Sequence, residues 1–128
     1  MRGEDVTANL SARCAASFDP RARERGLDYE RNGRIKPGSV EDDAFSGAVR
    51  GTQRYAVLVQ AGETRANSTE LVVSCACPRF EDGYNCKHLY AVLVWLDHAG
   101  ESLGVPHGLL NELRQRGIRL ALTASGQR

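Results

Sequence analysis

The sequence predicts an α+β fold, a small three-stranded antiparallel sheet packed with helices and stapled between its last strand and the following helix. Three observations carry this. The apolar period is helical in the first third of the chain and changes to two from about Ile35. A cluster of three cysteines and a histidine follows the last extended run. A segment apolar on nearly every side, Leu89 to Leu96, follows the cluster.

Val6, Leu10, Cys14 and Phe18 fall at four-residue spacing and make one apolar helical stripe. Asp19-Pro20 reads as an N-cap followed by proline in the first helical position. The helix it opens runs to about Asn32, where Gly33 ends it. This helix is dense in charge, so its buried face is narrow: Ala22, Gly26, Leu27 and Tyr29.

Alternation then sets in. Phe45, Gly47 and Val49 alternate with Ala44, Ala48 and Arg50, and Gly51-Thr52-Gln53 supplies a turn. Tyr55, Val57 and Val59 alternate with Ala56, Leu58 and Gln60. After the polar loop Gly62 to Ser68, Leu71, Val72 and Val73 resume the extended run, which leads directly into Cys75. Three strands with polar turns make an antiparallel meander. The length and full apolarity of the segment after Cys86 mark a buried helix. Pro106 then opens a short helix with Leu109, Leu110 and Leu113 on one face, closed by Gly117. Ile118, Leu120 and Leu122 suggest an edge strand, and Ser125 to Arg128 a frayed tail.

The hydrophobic share, 41%, is low for a globular domain, so a metal staple would add what the core lacks. No apolar run approaches the ~20 residues of a membrane span. The start, Met-Arg-Gly-Glu-Asp-Val, does not read as a signal peptide. A cytoplasmic, reducing location is the expectation, and there thiols meet metal more readily than each other.

Cys75, Cys77, Cys86 and His88 lie within 14 residues. Zinc takes four such ligands in a tetrahedron. Cys75 and Cys77, two apart in an extended chain, point to the same side. Pro78 ends the strand, and Asp82-Gly83 marks a turn in the loop. Cys86 and His88 share a metal if Cys86 stands at the helix start and His88 in the first turn, with Asn85 as the cap. Four protein ligands close the shell, so the expected cofactor is one structural zinc and not a catalytic one. Three thiolates against a dication leave the site one negative charge, which brings the formal +1 of the chain to about zero. Lys87 and Arg79 flank the site. Cys14 reads as a core residue, His98 and His107 as surface, and Trp95 and Tyr90 as core or groove.

The Cys-x-Cys, eight-residue loop, Cys-x-His order resembles the SWIM zinc finger. Cys75-Ala-Cys-Pro and Cys86-Lys-His-Leu-Tyr-Ala are similar to its usual wording at both halves. Arg25-Gly26, Tyr29, Gly33-Arg34-Ile35, Val49-Arg-Gly-Thr and Tyr55-Ala-Val resemble the segment preceding the finger in bacterial Swi/Snf-type helicase-like ATPases. The resemblance runs from about Phe18 to Asp97. It implies a short sheet and a helix around one zinc, with Cys75, Cys77, Cys86 and His88 as ligands. It also implies binding to DNA or protein, often beside an ATPase. We divide the chain accordingly into an N-terminal helical extension (1–18), a SWIM-like zinc-binding domain (19–99) and a C-terminal helix and tail (100–128).

Of 17 basic residues only Lys36 and Lys87 are lysine, and arginine is the better fork for phosphate. Arg21, Arg25, Arg31, Arg34 and Lys36 form a basic group, to which Arg50, Arg54, Arg79 and Lys87 add. The expected function is therefore a zinc-binding module for nucleic acid, DNA first, accessory to a helicase-like ATPase or DNA-processing complex. The ATPase would act in cis or in trans, since no G-x-x-x-x-G-K-[ST] loop occurs in this chain. The alternative is a protein-interaction adaptor that docks through Leu109, Leu110 and Leu113. No membrane partner and no enzymatic activity are expected, because no cysteine sits in a nucleophile motif.

Overall fold

The computed structural model describes residues 10–63, 69–103 and 110–114. Its elements are α1 (Leu10–Arg13), a 3-10 turn (Ala15–Ser17), α2 (Pro20–Arg31), β1 (Ile35–Val40), β2 (Ala44–Arg50), β3 (Arg54–Glu63), β4 (Thr69–Cys75), α3 (Pro78–Glu81), α4 (Lys87–Ala99) and β5 (Leu110–Arg114).

The sheet has strand order β1-β2-β3-β4-β5. Its first four strands are antiparallel neighbours, and β5 joins β4 in parallel. The expected three-stranded meander is thus one strand short at each side. The run from Ile35 to Arg50 is two strands, turned at Glu41-Asp42-Asp43, where Glu41 N–H bonds to the Ala44 carbonyl at 2.7 Å. Pro37 and Gly38 sit at a register shift in β1, which blurs the alternation that would have separated the two.

The expected helix after Pro106 is also corrected. Residues 110–114 are extended and pair with β4 through Thr69↔Leu110, Glu70↔Glu112, Leu71↔Leu113 and Val72↔Arg114. A backbone edge left open by β4 takes this segment, whose local sequence suits a helix equally well. The parallel pairing is made possible by α4, which carries the chain from the end of β4 back across the sheet. Val6, His107, Leu109 and the strand and tail expected after Gly117 lie outside the described residues.

One face of the sheet forms the core. Phe45, Val49, Val57, Val59, Leu71 and Val73 are buried there with Leu89, Ala91, Val92, Leu93 and Leu96 of α4. Phe45 and Trp95 meet at 5.6 Å between ring centroids. Gly100, at φ +75°, ends α4 in the left-handed conformation. Among the described residues no helix is long and apolar enough to cross a membrane.

Leu10, Cys14 and Phe18 of the N-terminal stripe are all buried in this core. Phe18 meets Tyr90 edge-on at 5.0 Å. Asp97 of α4 accepts from Leu10 N–H at 2.6 Å, from Ser11 N–H at 3.1 Å and from the Ser11 hydroxyl at 2.6 Å. A side chain 87 positions away in sequence thus takes the role of cap for α1. Burial pushes the Asp97 carboxyl above the usual carboxylate range, against the pull of the Ser11 and Leu10 hydrogen bonds. Asp97→Ala is expected to cost about 1–3 kcal/mol, because it orphans half-buried donors. Asp97→Asn keeps one acceptor and removes the half-buried charge, and it should cost less. Thermal melting of both variants reads the difference.

α2 forms as its signals require. The Asp19 carboxylate accepts from Ala22 N–H at 2.8 Å, Pro20 follows, and Gly33 (φ +70°) lies past the Asn32 C-cap. The helix packs on α4, with Gly26 buried and Ala22 and Tyr29 half-buried. Leu27 departs from expectation, since it is 41% exposed. It stands one residue, about 100°, round the helix from Gly26, which is the point of closest approach to α4.

Candidate metal centre and the groove beside it

Three element ends place the four ligand side chains. Cys75 is the last residue of β4. Cys77 keeps an extended backbone (φ −81°, ψ 156°) and caps α3, its sulfur accepting from Phe80 N–H at 3.5 Å. Pro78 therefore does more than stop the strand: it opens a one-turn helix that Asp82 and Gly83 (φ +101°) close. Cys86 is the N-cap of α4 and His88 lies in its first turn, as their spacing requires. Asn85 is not the cap, for its amide donates to the Ser17 carbonyl at 2.8 Å and ties the loop to the N-terminal segment.

The four ligand atoms lie within 4.8 Å of one another, and all four residues are buried. His88 Nδ1 is 3.7 Å from Cys75 Sγ. Zinc–sulfur and zinc–nitrogen bonds of about 2.3 and 2.05 Å give a tetrahedral edge of about 3.6 Å, so this pair already stands at ligand spacing. The donor chemistry fits as well. Hydrogen bonding to Cys77, then to Cys86, and burial push the Cys75 thiol far above its ordinary range. The hydrogen bonds from Cys75 and Cys86 hold Cys77 well below it. For Cys86 the Cys75 hydrogen bond pulls down, but the Cys77 hydrogen bond and burial prevail and push it up to about 12. A dication among the three sulfurs would favour the thiolate form of each.

The surroundings of His88 were not visible in its local spacing. Nε2 is buried and, among the described residues, has no hydrogen-bond partner. Tyr29 and Tyr55 flank the ring at centroid distances of 5.5 and 4.9 Å. Gly51 closes the third side, where an added Cβ would stand 3.5 Å from Nε2 and 3.2 Å from Tyr29 Oη. Packing by two tyrosines and a glycine turn orients this imidazole, in place of the carboxylate or carbonyl that usually orients a ligating histidine.

A groove of about 440 Å³ opens beside the ligands, lined by Asp19, Arg21, Ala22, Arg25, Cys77, Arg79, Cys86, Lys87 and His88. It brings together four of the nine basic residues singled out from sequence: Arg21 and Arg25 of α2, Arg79 of α3, and Lys87 at the start of α4. Arg79 is held at 3.6 Å from Asp19. Lys87 Nζ lies 5.5 Å from the Tyr29 ring centroid and Arg34 Cζ lies 5.1 Å from it. Arg34 also donates to the Arg50 carbonyl at 3.1 Å, and Arg50 is the register partner of Arg54. Arg34, Arg50 and Arg54 therefore form a second group at the β2–β3 turn, linked to the groove through Tyr29. Lys36 is exposed in β1, opposite Ala48. Arg31 points elsewhere and pairs with Asp28 at 2.8 Å. Cys14 is buried in the core, and burial pushes its thiol up to about 12. His98 is exposed and pairs with Glu30 at 2.8 Å.

The SWIM zinc finger family model matches residues 57–94, from the middle of β3 into α4. No curated protein and no solved structure matches the chain. The matched stretch contains every ligand, while Tyr29, Gly51 and Tyr55, which wall in His88, come from upstream of it. With its α+β fold and the cluster set between β4 and α4, this chain carries a SWIM zinc finger domain over residues 57–94, with a Cys3His site for one zinc ion.

Proposed function

We propose that this chain is a nucleic-acid-binding module, with DNA the first candidate, held in shape by structural zinc. In this reading it serves as an accessory or targeting domain of a helicase-like ATPase or DNA-processing complex, in cis or in trans. The observation that carries the reading is the groove, where Arg21, Arg25, Arg79 and Lys87 converge beside the finger. The whole chain carries a formal charge of only +1, so the cations matter by being gathered and not by their number. Among the described residues, Arg21 and Arg25 have no acidic partner, and one helical turn separates them. The ATPase association rests on the upstream resemblance, from Arg25-Gly26 to Tyr55-Ala-Val. The protein-adaptor reading loses its docking helix, because residues 110–114 are a strand. We take the module to act by binding and not by catalysis, since a four-ligand zinc has no open position.

The contact would be mainly electrostatic, with affinities of about 10⁻⁴ to 10⁻⁶ M at physiological salt. Arg21→Gln with Arg25→Gln is expected to weaken binding uniformly across sequences and to lower the salt slope by about two. Zinc content should not change. Titration of a labelled oligonucleotide at several salt concentrations measures both. A parent protein that binds no nucleic acid at low salt would transfer the reading to protein interaction.

A further inference from the structure

We infer that the groove takes a single nucleic-acid strand and not a duplex, with the backbone on Arg21, Arg25 and Lys87 and one base stacked on Tyr84. The inference rests on the nucleic-acid reading above and narrows its ligand class.

Tyr84 adds an aromatic surface to the gathered charge. Tyr84 is 55% exposed, one of two large hydrophobic side chains left in water among the described residues. It sits in the loop between Cys77 and Cys86, held by its backbone N–H to the Arg79 carbonyl at 3.3 Å and by Cys86 two residues on. Its ring is therefore presented on a short segment pinned by metal ligands at both ends. Arg79 Cζ stands 4.6 Å from the ring centroid, and the same arginine lines the groove. An exposed aromatic ring paired with an arginine plane, beside a cationic groove, is the arrangement that holds unpaired bases. In a duplex the base faces are already stacked on their neighbours and could not reach the ring.

Shape points the same way. Reading a duplex through its major groove takes a protruding helix or a two-stranded β-ribbon. Here α2 is packed along α4, and its free arginines face a concavity shared with the first turn of α4. The hollow of about 440 Å³, walled in part by Cys77, Cys86 and His88, is a recess that a single backbone can enter.

The test compares the zinc-loaded protein on a labelled 15-nucleotide oligo-dT, a 15-base-pair duplex, and an abasic strand of equal length and charge. Fluorescence anisotropy at low and moderate salt is the readout. The strand should bind at least about tenfold more tightly than the duplex and than the abasic strand, because stacking one base supplies about that factor. Tyr84→Ala should remove the preference over the abasic strand and leave the salt slope unchanged. Tyr84→Phe should keep both, with zinc measured in each variant. Equal or tighter duplex binding, or an abasic strand that binds like oligo-dT, overturns the single-strand inference and leaves phosphate binding standing. These two comparisons need only the parent protein, so they hold even where Tyr84→Ala loses zinc. Failure to bind all three at low salt overturns both readings.

Discussion

Removal of the zinc is expected to unfold the finger and to take α2 with it. Structural zinc sites contribute on the order of 10 kcal/mol of apparent binding free energy. That is as large as the whole net stability of a typical domain, about 5–15 kcal/mol. The ligands show why the loss would spread. Cys75 ends β4, Cys77 caps α3, and Cys86 and His88 begin α4. One ion therefore joins the sheet to the helix that covers it. A 12-residue helix is marginal alone, and α2 rests on the first turns of α4 through Gly26 and Tyr90. A strong chelator, or Cys86→Ser, should lower the far-UV helical signal and broaden or abolish the thermal transition. Cys14→Ser should keep one zinc per chain, since Cys14 lies in the core away from the cluster. Elemental analysis that finds no zinc in protein purified without chelator would sink the site. So would unchanged melting after confirmed zinc loss.

What the sequence made legible, and what it did not, follows the range of each interaction. The ligand set was legible because metal geometry writes itself into local spacing, through Cys-x-Cys, Cys-x-His and the proline and glycine between them. The ends of α2 were legible because caps act within a turn, as Asp19 and Gly33 do. The seating of β5 depends on the open edge of β4, which is remote in sequence, and leucines at helical spacing gave no hint of it. The split between β1 and β2 had a local signal in Glu41-Asp42-Asp43, but the bulge at Pro37 to Ser39 broke the alternation on which the reading relied. The wall around His88 draws on α2, the β2–β3 turn and β3, and no window of sequence holds all three. The groove likewise exists only because α2 lies against α4. Arg31 stands off the line of Arg21 and Arg25 by helical spacing alone, and it pairs with Asp28 while Arg25 lines the hollow.

Gly26 is where that juxtaposition is most vulnerable. A Cβ there would stand 2.9 Å from Tyr90 Cβ and 3.0 Å from the Lys87 carbonyl oxygen. Neither neighbour is the far end of a flexible side chain, so α2 itself would have to move. Alanine in a helix normally gains about 1 kcal/mol over glycine, and here the clash opposes that gain. Gly26→Val adds two further methyl groups to the same wedge and is expected to destabilise by several kcal/mol, at or beyond the usual overpacking range of about 1–3 kcal/mol. Displacing α2 also carries Arg21 and Arg25 away from Lys87 and Arg79, so oligonucleotide affinity should fall while the ligands, all in β4 and beyond, still hold zinc. Gly33→Ala is the control. Nothing lies within 4 Å of its Cβ position, and only the left-handed backbone at φ +70° is strained, at about 1–2 kcal/mol. Gly33→Ala should lower the melting temperature slightly and leave oligonucleotide binding intact. A Gly26→Val protein that melts and binds like the parent would mean that α2 does not depend on its close approach to α4, and the groove would lose its structural basis.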